Sequence, residues 1–398
     1  QRKGDLLREL DVIADDLQSP EGFAELLRAE GVEPETKESP RHPGTKIYAF
    51  AKTDQFMKDL IEDDTRAGAL GRARLGVRST IDQTRAASLG FMATRGKLPV
   101  YLRYSGAHTT RWSGGDSLNW QNFRRGSDIR RSICAPSGHT LIVLDLAQIE
   151  CRMLNVLAGE WDVVDAFREE RDLYSEGASR FYQRNITRAD KTERHLGKVL
   201  ELGCGYGMGS VKLRATCRAG ALGGPPIILD EAQADDAVRA YRDGHQHVVD
   251  YWHKAGRVIA RIAGGDPMDW GPMVVKDRRV YLPNGAWLNY DTLEFDSDER
   301  QWRYRTRQGW TKLYGGKLVE NVVQALARVV LSQAMLRMAD MGHRAVNCTH
   351  DEVLFVVKAD GSEYDQYEKL QAEMERPPSW LPELPLKVEG GVSERYEK

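Results

Sequence analysis

The stretch His139–Leu146, with the sequence HTLIVLDL, decides the fold, because it is a continuous apolar run whose only acid stands near its end. Such a run predicts a buried β-strand. An ionised carboxylate there is costly unless it is paired or bound to a metal ion. Asp145 is therefore a candidate functional carboxylate. Taken alone, it could equally be the N-cap of the helix predicted from about Gln148 to Leu157.

A second acidic site is predicted at His350-Asp351-Glu352, between two apolar segments at 344–349 and 352–357. These segments predict two strands joined by a tight turn. Ordinary turn chemistry is the alternative, since Asp is common in turns. Two acidic strand ends together suggest a shared metal site. A few carboxylates suit Mg²⁺, and a pair of such ions about 3.5–4 Å apart can activate an attacking oxygen and stabilise a leaving one.

A third candidate is a stripe of residues spaced four apart, which comprises Arg194, Lys198, Leu202 and Tyr206. In a helix they would share one face. Two cations and a ring on that face could hold a triphosphate and stack beneath a base. A solvated basic face is the alternative. Glycines at 203, 205, 207 and 209 favour the first interpretation, because they permit close approach of a ligand and hinge motion.

Polar loop residues form the fourth candidate, in Thr110–Ser113 and Asn119–Asn122. Their Arg, Asn and Gln side chains could donate to base edges in the minor groove, where readout is nearly independent of sequence. The alternative is a structural loop whose side chains cap the backbone. Nearby arginines suggest a basic patch, or else a solvated charged face: Arg103, Arg111, Arg124, Arg125, Arg130 and Arg131.

Composition limits the class of protein. The chain has 398 residues, 41% hydrophobic and 29% charged, which is enough for two or three subdomains. Its formal net charge of −2 excludes a strongly basic nucleic-acid module, so any such site must be local. The five cysteines show no zinc spacing and predict reduced thiols of a cytosolic protein. We expect no signal peptide and no apolar run of about 18 residues that could span a membrane.

Local patterns predict the remaining elements. Ser19-Pro20 is typical of a helix start, and Leu282–Gly285 of a hairpin turn. The predicted segments are short helices over 1–70, a loop at 33–46, a helix at 77–94, a strand at 99–104, an ordered loop at 105–126, helices over 162–260, alternating strands over 280–305 and an amphipathic helix at 317–341.

The order of these segments resembles family A, the DNA polymerase I-like polymerases. Asp145–Arg152 resembles motif A, Arg194–Gly207 motif B, and His350–Glu352 motif C, while Thr110-Arg111 and Asn119–Asn122 resemble the segment upstream of motif A. Three segments look like those of phage members: Leu157–Glu160, Gly205–Gly209 and Gly315–Gln324. The resemblance covers roughly residues 70–398, and its set of motifs is highly specific.

The resemblance implies an α+β, right-hand polymerase fold. Residues 1–96 would be a partial thumb, 97–165 and 276–398 the palm, and 166–275 the fingers. It also implies template-directed addition of deoxynucleotides to a primer 3′-OH with release of pyrophosphate. The partners would be primer–template DNA and dNTPs, and the cofactor two Mg²⁺ ions, with Mn²⁺ as a substitute. We expect a monomer with no membrane association, in the cytoplasm of a phage host or bacterium.

The resemblance also implies residue roles. Asp145 and Asp351 would bind both metals with the backbone carbonyl of Leu146, and Glu352 would be a supporting carboxylate. Nucleotide binding would involve Arg194, Lys198 (also a proton donor to pyrophosphate), Leu202, Tyr206, Gln148, Tyr174 and the steric gate Glu150. DNA contacts would come from Arg111, Asn119, Gln121, Asn122, Arg130, Gln324 and His350.

Three positions depart from the family pattern. Leu202 replaces an aromatic residue, Thr110 replaces a glycine, and Leu146 replaces an aromatic residue, which puts fine specificity in doubt rather than the reaction. Three rivals remain. A single-subunit RNA polymerase is disfavoured by Glu150, a non-catalytic DNA-binding protein by the intact acids and cations, and a metal-dependent nuclease by the intact motif B face.

Overall fold

The computed structural model describes residues 7–39, 42, 44–52, 54–63, 65–78, 81–115, 118–220, 224–307 and 309–397. The chain divides into two compact units, residues 1–87 and 88–398. The described helices are α1 Ala14–Gln18, α2 Pro20–Ala29, α3 Gln55–Glu62, α4 Arg66–Arg78, α5 Ile81–Ala93, α6 Asp128–Arg131, α7 Ile149–Ala158, α8 Trp161–Arg168, α9 Leu173–Tyr182, α10 Lys191–Gly203, α11 Ser210–Arg218, α12 Glu231–Asp243, α13 Gln246–Gly264, α14 Gly315–Asp340 and α15 Glu363–Met374.

The described strands are β1 Thr36–Glu38, β2 Lys46–Tyr48, β3 Leu102–Arg103, β4 Ser113–Gly114, β5 His139–Leu146, β6 Met268–Trp270, β7 Met273–Lys276, β8 Arg279–Tyr281, β9 Trp287–Asn289, β10 Glu294–Asp296, β11 Gln301–Thr306, β12 Gly309–Leu313, β13 Asn347–Thr349, β14 Glu352–Lys358 and β15 Val388–Ser393. Helices and strands are thus mixed along the chain, which confirms the expected α+β class.

In the first unit, short helices pack around a small apolar core. The predicted helix start is confirmed, since the hydroxyl of Ser19 accepts a hydrogen bond from the backbone N–H of Gly22 and Pro20 is the first helical residue. The loop predicted at 33–46 is wrong in part, because β1 and β2 pair antiparallel there. The prolines at 40 and 43 lie outside the described residues, between those two strands.

The central feature of the second unit is a four-stranded antiparallel sheet with the strand order β13-β14-β5-β15. Strand β5 has the bounds predicted from the sequence. Ile142 and Leu144 join the main apolar core on one face, while Leu141 and Val143 join a second cluster on the other. Both faces of β5 are therefore buried, which explains why its sequence is a continuous apolar run rather than an alternating one.

Helix α14 packs in the main core, and its existence was predicted correctly. Its predicted amphipathic character is wrong, because buried residues such as Leu318, Val323 and Leu331 lie all around it. By length and composition alone it could cross a membrane, contrary to expectation. However, 61% of the relevant window is buried inside the unit. A helix that is apolar on all sides is typical of the core of a large domain.

The region at 162–260 is helical as predicted and contains α8 to α13. The chain then forms two small antiparallel sheets, one of β6 to β9 and one of β10 to β12. The predicted turn at Leu282–Gly285 joins β8 to β9, with Gly285 at a φ of 81°. The division predicted between 275 and 276 falls inside β7, so one sheet spans that boundary. The subdomain limits stay predictions.

Candidate active site

The two acidic motifs meet at the end of the four-stranded sheet. Asp145 is 3% exposed near the end of β5, and its register partner on β14 is Glu352. Asp351 lies in the turn between β13 and β14, and its carbonyl accepts a hydrogen bond of 3.1 Å from the N–H of Leu146. The antiparallel pairing of β5 with β14 thus brings Asp145 and Asp351 together.

The electrostatics of this carboxylate pair favour a cation. Burial, and after it the negative charge of Asp145, raises the pKa of Asp351 to about 6. The guanidinium of Arg125 donates a hydrogen bond to Asp145. Among the described residues, no group of three or more His, Cys, Asp or Glu side chains could hold a metal ion. A divalent ion would therefore be held by this pair together with oxygens from the backbone, substrate or water, a donor set that suits Mg²⁺.

Glu352 is held by two partners on its own side of the sheet. Its carboxylate accepts a hydrogen bond of 2.6 Å from Arg130 and another from the hydroxyl of Tyr396. Arg130 is 2% exposed, and its guanidinium lies 3.8 Å from the centroid of the Tyr396 ring. The predicted DNA contact of Arg130 does not fit this burial, since its charge is used inside the protein. Tyr396 was missed, because nothing in its sequence context links it to motif C.

Helix α10 faces the carboxylates across a cavity of about 690 Å³. Residues that line it include Asp145, Asp351, Gln148, Glu150, Tyr174, Arg194, Lys198, Leu202 and Tyr206. Gly197 allows α10 to pack closely on α9, because a Cβ at this position would lie 1.9 Å from the carbonyl oxygen of Tyr174. The predicted stripe of α10 therefore lines the same cavity as the two acids, with Tyr206 in the short 3-10 helix that follows.

Arg194 is positioned by a residue that the sequence did not reveal. Its guanidinium donates two hydrogen bonds to Asp172, of 2.7 and 3.0 Å, and lies 5.3 Å from the centroid of the Tyr174 ring. The hydroxyl of Tyr174 accepts a hydrogen bond of 2.5 Å from the side-chain amide of Gln148. An acid just before a helix is usually a cap, so sequence alone could not identify Asp172 as the partner of Arg194.

Lys198 lies next to Arg194 on the cavity wall. Its pKa is lowered by burial first and then by the positive charges of Arg194 and Arg125. Arg194 and Lys198 therefore place positive charge across the cavity from the carboxylates, while Arg125 lies beside Asp145. Such an arrangement favours a polyanion that bridges the cavity, since low-dielectric walls strengthen the attraction.

The remaining predicted nucleotide contacts are Glu150, Leu202 and Tyr206. Glu150 is ion-paired with Arg111, its side chain 33% exposed. Leu202 packs against the apolar cluster of Cys151 and Phe167. Burial raises the pKa of Tyr206, and the positive charge of Arg111 acts in the opposite direction. The sequence predicted Glu150 and Arg111 as separate contacts to nucleotide and DNA, whereas here they bind each other.

The polar loop before β5 supports the turn between β13 and β14, which contains Asp351. Gln121 is 8% exposed, donates a 2.7 Å hydrogen bond to the carbonyl of Cys348 and accepts one of 2.9 Å from the N–H of His350. Both ends of its amide are therefore used, and the predicted DNA contact of Gln121 gives way to a positioning role. Asn119 accepts a 3.0 Å hydrogen bond from the N–H of Gln121, while Asn122 is exposed.

The other predicted DNA contacts are His350, Gln324 and the arginines of the predicted basic patch. His350 has a φ of 55°, and its pKa is lowered by burial and by the charge of Arg111. Gln324 donates a 3.3 Å hydrogen bond to Glu320 within α14. Of the predicted basic patch, Arg111, Arg125, Arg130 and Arg131 are each paired with a carboxylate. The patch is therefore less positive than its sequence suggests.

Thr110 explains why a glycine is usual at its position. Its φ is 60°, in the left-handed region that a β-branched residue rarely adopts, and its side chain is buried. Its hydroxyl has no hydrogen-bond partner among the described residues. We expect Thr110→Gly to raise the free energy of unfolding by about 1 kcal/mol, because it removes this strain and the unsatisfied hydroxyl. Urea denaturation would measure the gain, with Thr109→Gly as the control that should destabilise. A loss of stability in Thr110→Gly would contradict the strain.

Comparison with known proteins agrees with this geometry. Residues 93–398 match the sequence profile described as DNA polymerase family A. The chain belongs to DNA polymerase family A. A DNA polymerase of Bacillus phage SP02 is 30% identical over 288 residues, which cover 68% of this chain and 43% of that protein. A thermostable DNA polymerase I of Thermus thermophilus is 24% identical over 305 residues, which cover 76% of this chain and 32% of that protein.

The fold of this family A chain is also similar to a solved structure. The POL domain of Pol1 from M. smegmatis, in complex with DNA primer-template and dNTP, aligns with a TM-score of 0.68 and 20% identity. The alignment covers 99% of this chain and 65% of that one. The likeness confirms the α+β polymerase fold. The chain spans less than half the length of the two curated relatives.

Proposed function

We propose that this family A chain adds deoxynucleotides to a primer 3′-OH on a DNA template and releases pyrophosphate. The observation that carries the proposal is the shared cavity, which is lined by Asp145 and Asp351 on one side and by Arg194 and Lys198 on the other. A nucleoside triphosphate has the charge and length to lie between these two sets of side chains. The family and the phage relative support the same reaction.

Asp145 and Asp351 would hold two divalent ions, which we propose to be Mg²⁺, with Mn²⁺ as a substitute and the carbonyl of Leu146 as a further ligand. When bound, these ions supply Lewis-acid activation of the 3′-OH and neutralisation of charge on the phosphates. Deprotonated Asp351 is the binding form, and its pKa of about 6 means that it is charged at neutral pH. Glu352, beside the two aspartates, would support the turn through the hydrogen bonds that its carboxylate accepts from Arg130 and Tyr396.

On the opposite wall, Arg194 and Lys198 would bind the β- and γ-phosphates, and Lys198 would donate a proton to the leaving pyrophosphate. Tyr206 would stack near the template–primer end, while Leu202, Gln148 and Tyr174 would shape the sugar and phosphate pocket. Catalysis would rest on positioning and on electrostatic stabilisation of the charge that develops in the transition state. Closure of α10 on a correct nucleotide would assemble these groups.

The DNA would lie against the loop before β5 and against α14, and the contacts we propose are Arg111, Asn119, Asn122, Gln324 and His350. Arg111 must leave Glu150 to reach DNA, so binding of the primer–template would release the gate residue into the nucleotide pocket. We further propose that the chain acts as a monomer, without membrane association, in the cytoplasm of a phage host or bacterium.

Primer extension tests the proposal directly. A labelled primer on a defined template would be incubated with Mg²⁺ and either the four dNTPs or the four NTPs. We expect templated extension with dNTPs and little with NTPs. Extension with NTPs would favour an RNA polymerase. Binding of the primer–template without extension by either pool would favour a non-catalytic DNA-binding protein, and degradation of the primer a nuclease.

The steric-gate role of Glu150 leads to a separate prediction. We expect Glu150→Ala to raise the ratio of ribonucleotide to deoxynucleotide incorporation by roughly tenfold or more, because the 2′-OH gains room. Glu150→Gln is the matched control, since it keeps the side-chain volume but loses the ion pair with Arg111. Single-nucleotide incorporation of UTP and dTTP would measure both ratios. An unchanged ratio in Glu150→Ala would reject the gate.

A further inference from the structure

The sheet of β6 to β9 has an outer face that differs from an ordinary solvated surface. Val275, Val280 and Leu288 are register partners across three strands, and each is 0% exposed. Because successive side chains of a strand point to opposite faces, their neighbours point away from the core. Val274, Tyr281 and Trp287 accordingly form a row across the same strands on the outer face.

This outer row is apolar and accessible. Val274 is 40% exposed and Trp287 is 46% exposed, and the ring centroids of Tyr281 and Trp287 are 5.9 Å apart at 45°. An exposed tryptophan beside a tyrosine offers a flat surface larger than a single ring. Such a surface is suited to a planar ligand, since aromatic rings stack on the faces of bases.

Two cations flank the row. The Nζ of Lys276 lies 4.8 Å from the centroid of Tyr281, and the guanidinium carbon of Arg279 lies 5.2 Å from that of Trp287. Lys276 and Arg279 are themselves register partners on β7 and β8. Within the described part of the chain, neither cation lies in an ion pair with a carboxylate. The pKa of Arg279 is raised first by its hydrogen bond with Tyr281 and also by the negative charges of Asp291 and Asp277. Asp269 is the register partner of Val274.

We propose that this face binds single-stranded DNA, with Tyr281 and Trp287 stacking on bases and Lys276 and Arg279 holding phosphates. Rings interleaved with cations that, among the described residues, form no ion pair with a carboxylate match the alternation of base and phosphate along a single strand. A duplex hides its base faces and would gain nothing from the rings. The inference rests on the proposed function only in naming DNA as the ligand. The bound strand would be the single-stranded part of the template that has not yet been copied.

The neighbouring sheet of β10 to β12 offers a matched control. Trp310 is 50% exposed and has Arg303 4.7 Å from its ring centroid, so its exposure and its cation resemble those of Trp287. Arg303, however, is paired with Glu294 and Asp296. Its charge is neutralised, so this second tryptophan should not attract a polyanion.

The test compares two labelled primer–template duplexes by fluorescence anisotropy without nucleotides, one blunt and one with a single-stranded overhang of about twelve nucleotides. We expect the wild-type protein to bind the overhang duplex at least about fivefold more tightly. Trp287→Ala should lose this preference, whereas Trp310→Ala should keep it. Lys276→Gln with Arg279→Gln should lower the slope of log affinity against log salt by about 1. Melting temperatures would verify that every variant is folded.

The proposal is overturned if the wild type shows no preference for the overhang, or if Trp287→Ala and Trp310→Ala behave alike. The first outcome would leave a protein partner as the occupant of the face. Extension on a template with one unpaired nucleotide separates this result from the proposed reaction. Trp287→Ala should retain that extension. A wild-type protein that failed to extend would refute the polymerase function, while the overhang measurement would still decide the face.

Discussion

Replacement of Asp351 or Asp145 by Asn is expected to slow nucleotide incorporation by about a thousandfold, equivalent to about 4 kcal/mol of lost transition-state stabilisation. Asn keeps the size of the side chain but removes the charge that would hold the divalent ions. Affinity for primer–template measured without divalent ions should not fall, because neither acid contributes positive charge to DNA binding. Single-turnover incorporation and anisotropy would measure the two quantities separately.

Asp128→Asn is the matched control, since Asp128 is an exposed acid that pairs with Arg131 at 2.8 Å. It should retain the wild-type rate. Substantial synthesis by Asp351→Asn or Asp145→Asn would refute the metal-site assignment. Circular dichroism would reveal a variant that lost synthesis because it failed to fold.

The same substitution of Asp351 should stabilise the folded protein at neutral pH. The pKa of Asp351 is raised from 3.8 to about 6 in the folded state, so the folded state binds its proton more tightly than the unfolded state. The corresponding stability is fully present below about pH 4 and is lost as the pH rises through about 6. At pH 7 the charged Asp351 therefore destabilises the fold, and Asn should recover on the order of 2 kcal/mol.

Lys198→Met should lower the rate of incorporation by about a hundredfold or more, because it removes both a triphosphate contact and the proposed proton donor. Lys198→Arg should recover phosphate binding but not proton donation, since arginine stays protonated. Lys191→Met is a suitable control, because Lys191 is an exposed lysine at the start of the same helix. A Lys198→Met enzyme with a wild-type rate would exclude both roles.

The pH profile separates the two roles of Lys198. Burial and the neighbouring arginines lower the pKa of Lys198 below its ordinary value of 10.5. Its protonated form is therefore lost at a lower pH than in a free lysine, and wild-type activity should fall on the alkaline side accordingly. Lys198→Arg should lack this alkaline fall. A profile identical in both proteins would mean that Lys198 does not transfer the proton.

Sequence predicted well wherever one local pattern determined the structure. The apolar run of β5 and the pair of apolar segments around His350 needed only burial and a turn. The spacing of Arg194 and Lys198 needed only the period of a helix. These three features also contain the principal residues of the candidate site, so the site could be outlined before any coordinates were known.

The failures share a different cause, which is that side-chain partners distant in sequence leave no local trace. Gln121 and Arg130 were expected to contact DNA because of their residue types, and the pairing of Arg111 with Glu150 was not foreseen. Their burial or their pairing depends on Cys348, Glu352 and Glu150, which the chain brings near only after folding. The pairing of Asp172 with Arg194 and that of Tyr396 with Glu352 were not predicted for the same reason. Whether such a side chain is free to contact DNA or forms hydrogen bonds inside the protein depends on the polar groups that surround it in the folded chain, rather than on its residue type.

Under the proposed function, the hydrogen bond between Arg125 and Asp145 would couple the binding of a metal ion to the binding of DNA. The arginine neutralises a carboxylate that a divalent ion would otherwise occupy, and it also lines the smaller cavity beside His350. A DNA phosphate that drew Arg125 away would leave Asp145 open to the ion and would strengthen ion binding. Because such linkage is reciprocal, the ion must strengthen DNA binding by the same factor. Under the proposed function, the protein would thus acquire its metal and its template together rather than separately.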